Sequence, residues 1–157
     1  MINQPAPAER ETLVALTEAT GFFNAAEVQT VREMLEAFFE NPASEEYLWI
    51  VYRDAPAAPP RGYACYGPAS LAEGTYDLYW MAVDKRAQNK KIGSALLQFM
   101  EADLARRGAR QIYIETSDKP QYAPTRAFYE RRGYACVAHF HDYYAVGDGK
   151  VIYFKAV

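Results

Sequence analysis

The stretch TYDLYWMAVDKRAQNKKIGSALLQFMEADLARRG, residues 75–108, decides the fold. Its opening, residues 76–83, is an apolar and aromatic run of strand length. A polar, basic turn comes next, DKRAQNKKIGS. Ile92, Ala95, Leu96, Phe99, Met100 and Leu104 then recur at the i, i+3, i+4 spacing of one buried face, which predicts a helix over about 93–107. Arg106 and Arg107 suit the negative end of its dipole, and Gly108 is placed to end it. The next apolar run, QIYIET at 111–116, reads as a strand. Strand, helix and strand with so short a return predict a parallel pair joined by a right-handed crossover.

Working outward, Asn24 and Glu27 have the spacing of a capping box, and Val28, Val31, Leu35 and Phe38 give one apolar face, so a helix is expected over 25–39. Asn41–Pro42 ends it. YLWIVY at 47–52 and the run 62–66 read as a hairpin around the proline-rich surface connection RDAPAAPPR. After the parallel pair, the loop SDKPQYAP leads to a short helix over 125–132 stopped by Gly133. Strands are expected at 134–140 and 150–156. Residues 11–16 read as a first short strand, and residues 1–10, rich in proline and alanine, as frayed.

The chain has 157 residues of even composition, which predicts one domain spanning 1–157. A net charge of −3 speaks against a general nucleic-acid binder. No apolar run reaches membrane-spanning length and the first residues lack the pattern of a signal peptide, so a soluble, cytoplasmic protein without membrane partners is expected. Cys65 and Cys136 sit in apolar strand-like runs and read as buried free thiols.

In the turn DKRAQNKKIGS, successive backbone N–H groups and the N-terminus of the next helix can converge on a pyrophosphate. Lys90 and Lys91 would add charge and Ser94 a hydroxyl; an ordinary solvated loop has the same composition. His139 and His141 share a strand face and could be two metal ligands, but no third ligand has convincing spacing, so no metal is expected. His141, Asp142, Tyr143 and Tyr144 could instead touch a substrate.

The segment Gln88, Asn89, Lys90, Lys91, Ile92, Gly93 resembles the Q-x-x-G-x-G/A acetyl-coenzyme A signature of the GCN5-related N-acetyltransferases (GNAT), with Lys91 in place of the middle glycine. TRAFYERRGY, residues 125–134, independently resembles that family's late helix, A-x-x-x-Y-E-x-x-G-F/Y, with Thr125 at the usual alanine and Tyr122 where many members have asparagine. The resemblance implies an α/β fold: a mixed, mostly antiparallel sheet with a central parallel pair, flanked by helices. It implies an N-acetyltransferase that moves an acetyl group from acetyl-coenzyme A to a primary amine of a small molecule or peptide by direct attack in a ternary complex. A coenzyme A-binding sensor or interaction module with little turnover is the alternative, motivated by Lys91. Cofactor contacts fall by this resemblance on Met81, Ala82 and Val83, on Gln88 to Ser94, and on Tyr122; Arg126, near that cofactor, could bind phosphate. Tyr129 falls on the general acid. Asp77 and Glu115 are the candidate bases. Homodimers are common among relatives.

Overall fold

The computed structural model describes residues 1–87 and 91–157. Its seven strands form one sheet in the order β1-β2-β3-β4-β5-β7-β6. The element set is β1 (Ile2–Asn3), α1 (Arg10–Ala19), α2 (Ala25–Glu40), β2 (Leu48–Tyr52), β3 (Gly62–Pro68), β4 (Thr75–Val83), α3 (Ile92–Arg106), β5 (Gln111–Ser117), α4 (Ala123–Arg131), β6 (Ala135–Ala145) and β7 (Asp148–Ala156). Neighbours pair antiparallel except β4 and β5, which run parallel. This is the expected mixed sheet with one central parallel pair.

The capping box forms as read. Asn24 Oδ1 accepts from the Glu27 N–H at 2.9 Å and Glu27 Oε2 accepts from the Asn24 N–H at 2.7 Å. Two donors that the first turn leaves without partners are thereby satisfied. α3 buries Ile92, Leu96, Leu97, Met100 and Leu104 against the inner residues of β2 to β5 and β7. α1 and α2 cover the opposite face, where the strand residues come from β2, β3 and β4 alone. Among the described residues, no helix is long and apolar enough to cross a membrane.

Three expectations fail. Residues 11–16 are not a strand but the body of α1, which buries Leu13, Val14, Leu16 and Thr17. That spacing is helical, but no side chain caps the helix start, so the usual opening signal is missing. Residues 1–10 are not frayed. Ile2 and Asn3 pair with Tyr52 and Val51, and Glu9 clamps Arg53. The guanidinium donates from Nη1 and Nη2 to Glu9 at 2.7 and 3.1 Å, and from Nε to Asn3 Oδ1 at 3.0 Å. Of the two cysteines, only Cys65 is buried; Cys136 lies exposed on β6, at the edge of the sheet.

The backbone departs from regular geometry in the middle of β4 and again after it. Between β3 and β4 the register slips: Cys65 faces Trp80 whereas Tyr66 faces Leu78. Tyr79 is the extra residue of a β-bulge, and Tyr79 and Trp80 both turn toward the cluster under α1 and α2. Beyond the far end of β4, Lys91 enters α3 in the left-handed region, at φ 60° and ψ 16°. A side chain there costs about 1–2 kcal/mol, which glycine escapes.

Both the arginine clamp and the left-handed lysine should register in stability measurements. Arg53→Leu leaves the half-buried Glu9 carboxylate without its partner and should cost about 1–3 kcal/mol, lowering Tm by roughly 2–12 °C. Arg53, foremost by its hydrogen bond, holds the Glu9 carboxyl below its ordinary range. Its stabilisation is present above the ordinary carboxylate pKa and lost as pH falls through the lowered one, so the gap between wild type and variant should narrow in acid melts. Lys91→Gly should instead raise stability by about 0.5–1 kcal/mol after the entropy cost of glycine, measured by urea unfolding.

Candidate active site

The site is built on the separation of β4 from β5. Their parallel register runs from Thr75 opposite Gln111 to Leu78 opposite Ile114 and goes no further. Past Leu78, β4 continues through Met81, Ala82 and Val83, paired to Ala64, Tyr63 and Gly62 of β3 on one side only. The edge turned toward β5 therefore offers backbone N–H and C=O groups without a ladder partner among the described residues. Such groups seek a hydrogen-bonding ligand. The bulge at Tyr79 falls where the two strands part, since bulges end pairing and re-aim the chain.

α3 follows β4 in the chain. Gln88, Asn89 and Lys90, which carry half of the expected phosphate-holding signature, lie outside the described residues. Lys91 is exposed, and Ile92 and Gly93 begin the helix. A Cβ at Gly93 would meet Phe128 and Val83 at ordinary contact distances, 3.7 and 3.9 Å, so nothing among the described residues would exclude it. The first turn of α3 holds no acidic side chain to compete for its N–H groups. Ser94 lies in the first turn, and its hydroxyl is already taken by the Arg132 guanidinium.

The other nominated side chains are also engaged. Arg126 donates from Nη1 to the carbonyls of Ser117 and Lys119 at 2.8 and 3.0 Å, bracing the turn between β5 and α4. Tyr122 donates to the Phe22 carbonyl at 2.9 Å and stacks edge-on with the Phe22 ring, 5.2 Å between centroids. It ties the α1–α2 connection to the start of α4. Burial, then the charge of Glu27, pushes its phenol up to about 12.

Tyr129 lies on α4 with its ring among Phe128, Tyr134 and Tyr153, at centroid distances of 5.4, 6.0 and 5.9 Å. Tyr134 and Tyr153 donate to Glu101 and Glu130 respectively. Among the described residues no group hydrogen-bonds to the Tyr129 hydroxyl, and burial pushes its phenol well above the ordinary value. It stays protonated through neutral pH.

Asp77 and Glu115 share the sheet face that α1 and α2 leave open beyond β4. Burial, then the charge of Glu115, raises the Asp77 carboxyl, with Lys150 opposing. Glu115 pairs with Lys150 at 2.8 Å, and Lys150 lies 4.4 Å from the Tyr143 ring centroid. On the same face, around the bulge, opens a groove of about 790 Å³ lined in part by Met34, Tyr47, Leu71, Tyr79 and Trp80.

One constellation was missed in the sequence. Asp118 Oδ2 lies 2.8 Å from His139 Nε2, at hydrogen-bond distance, and His139 lies against His141, 4.4 Å between ring centroids. A third donor near the two histidines is Asp118, 21 residues upstream in the turn after β5. Only the β5–β7–β6 pairing brings it there, and no local spacing announces it.

Residues 13–134 match the family model described as the acetyltransferase (GNAT) family. A solved structure from Desulfovibrio desulfuricans, assigned to the GNAT family, superposes with a TM-score of 0.94 at 35% identity, covering 99% of this chain and 98% of that one. An aminoglycoside 6'-N-acetyltransferase complexed with coenzyme A matches with a TM-score of 0.79 at 19% identity, covering 99% and 96%. The ribosomal-protein-S18-alanine N-acetyltransferase of Escherichia coli matches with a TM-score of 0.77 at 18% identity, covering 100% and 93%. No curated protein matches in sequence. The family match over residues 13–134 and the 35% identical structure show that this chain belongs to the GNAT family of acetyltransferases, whose cosubstrate is acetyl-coenzyme A.

Proposed function

We propose that this protein transfers the acetyl group of acetyl-coenzyme A to a primary amine of a small molecule or peptide, by direct attack within a ternary complex. The unpaired edge of β4 past Leu78 carries this reading. It suits the amides of a pantetheine arm, whose thioester then lies beside the bulge. The N-terminus of α3 attracts the pyrophosphate. A backbone N–H of Ala82 or Val83 faces the thioester oxygen and stabilises its developing charge.

The neutral amine attacks the thioester carbon. The C–N bond forms, the C–S bond breaks, and the sulfur leaves as thiolate. Tyr129 supplies its proton to that sulfur. Phenol and thiol have ordinary pKa values of about 10 and about 8.5, and burial raises both, so the match survives in an apolar site. The amine proton passes to a carboxylate, Asp77 or Glu115, directly or through water. Neither cysteine serves as a nucleophile: Cys65 is fully buried with its thiol raised, and Cys136 is exposed at the sheet edge. The acceptor occupies the groove around Tyr79 and Trp80, where Glu45 and Glu46 offer negative charge to a cationic amine.

Release of free coenzyme A across an amine panel tests the reaction. Stabilisation by acetyl-coenzyme A with no thiol released from any amine would leave a binding module in place of an enzyme. Tyr129→Phe should lower kcat about 10²-fold with little change in KM for acetyl-coenzyme A. An unchanged kcat across pH removes the acid role.

Asp77→Asn separates the two candidate bases. With the Asp77 pKa raised in the folded state, its contribution to stability is full below the ordinary carboxylate pKa and lost as pH rises through the raised one. The Asn variant should therefore melt higher than wild type near pH 7 and equally near pH 3. If Asp77 is the base, kcat/KM falls about 10²-fold in the same variant. If Glu115 is the base, that loss appears in Glu115→Gln instead.

A further inference from the structure

We propose that Asp118, His139 and His141 form a binding site for a divalent transition ion of the zinc type. One carboxylate oxygen and one ring nitrogen from each histidine lie within 4.8 Å of one another. A tetrahedral ion with bonds of about 2.0–2.1 Å spaces its ligand atoms about 3.3 Å apart. Asp118 and His139 are already closer than that, at 2.8 Å. His141 is exposed, so a small rotation of its side chain closes the triangle.

The carboxylate is held ready for this role. Asp118 Oδ1 accepts from the Gly149 N–H at 2.7 Å, which leaves Oδ2 directed at His139. This is the kind of outer partner that orients a metal-ligating carboxylate. Gly149 makes the approach possible: a Cβ there would collide with the Asp118 carboxylate and would lie 2.7 Å from the Phe140 carbonyl oxygen. His139 is registered opposite Val151, a residue of the cluster under α3, so the site lies on the face away from Asp77 and Glu115. Two imidazoles and one carboxylate are a donor set for borderline ions such as Zn²⁺, Co²⁺ or Ni²⁺, and not for Ca²⁺ or Mg²⁺. Their exposure leaves further coordination positions to water or to a group brought by another molecule.

A bound ion would join the β6–β7 hairpin to the turn after β5. That turn is the one Arg126 braces, and it leads into α4 with Tyr129. The ion therefore acts on the rigidity of this corner and takes no part in acetyl transfer.

Co²⁺ titration of tag-free, chelator-treated protein tests the site. One equivalent should bind with saturable visible absorption bands, and Zn²⁺ should displace it and raise Tm. His141→Ala and Asp118→Asn should each weaken Co²⁺ binding roughly ten-fold or more. Both variants are first required to retain the wild-type circular dichroism spectrum and the melting shift induced by acetyl-coenzyme A. Absence of saturable bands in wild type, or equal binding in folded variants, overturns the proposal and leaves Asp118 and His139 as a surface hydrogen-bonded pair. The measurement does not depend on turnover, so it fails or succeeds separately from the acetyl-transfer reading.

Discussion

The architecture turns on two strands that begin together and then part. β4 and β5 share a parallel register only as far as Leu78 and Ile114. A buried sheet normally satisfies its backbone on both sides of every central strand, because an unpaired amide away from water is costly. Here one edge of β4 past Leu78 lacks that pairing, and the rest of the fold is arranged around it. β3 holds the other edge in register, α1 and α2 pack one face, and α3 packs the other. The bulge at Tyr79 lets β4 diverge without breaking the β3 pairing. What remains is a strand edge whose main-chain groups have no ladder partner among the described residues.

On the proposed function, cofactor recognition rests more on backbone groups than on side chains. Ser94, Tyr122 and Arg126 were natural choices for holding acetyl-coenzyme A, yet each has a partner inside the protein. They act as braces: Ser94 joins α3 to the end of α4, Arg126 closes the turn after β5, and Tyr122 pins the α1–α2 connection. An edge made of amides tolerates varied side chains around it. Lysine at position 91 is one instance, since its left-handed backbone keeps the geometry that a glycine would supply with less strain.

Local signals were legible wherever one element carried its own reason. The Asn24–Glu27 box, the apolar stripe of α3, its basic last turn and the short return to Gln111 needed no tertiary knowledge. The same holds for the parallel pair they imply. α1 was lost because its first turn has no side-chain cap to contradict a strand reading of ETLVAL. The order of residues 1–10 was lost because it depends on Arg53, an arginine in a proline-rich connection that composition assigns to the surface. Motifs nominated Tyr129 and the β4 residues, which lie on α4 and on the strand edge that parts from β5. Asp118 could not be found, because it meets His139 only through the ordering of three strands.

The unlike positions of the two cysteines have a practical side. A GNAT acetyltransferase yields one free thiol, that of coenzyme A, at each turnover. Cys65 is sealed in the core and will not register with a thiol-reactive dye, while Cys136 on the outer strand will. Each chain thus carries one built-in equivalent of background signal, and the same residue gives a single attachment point for a fluorophore on β6.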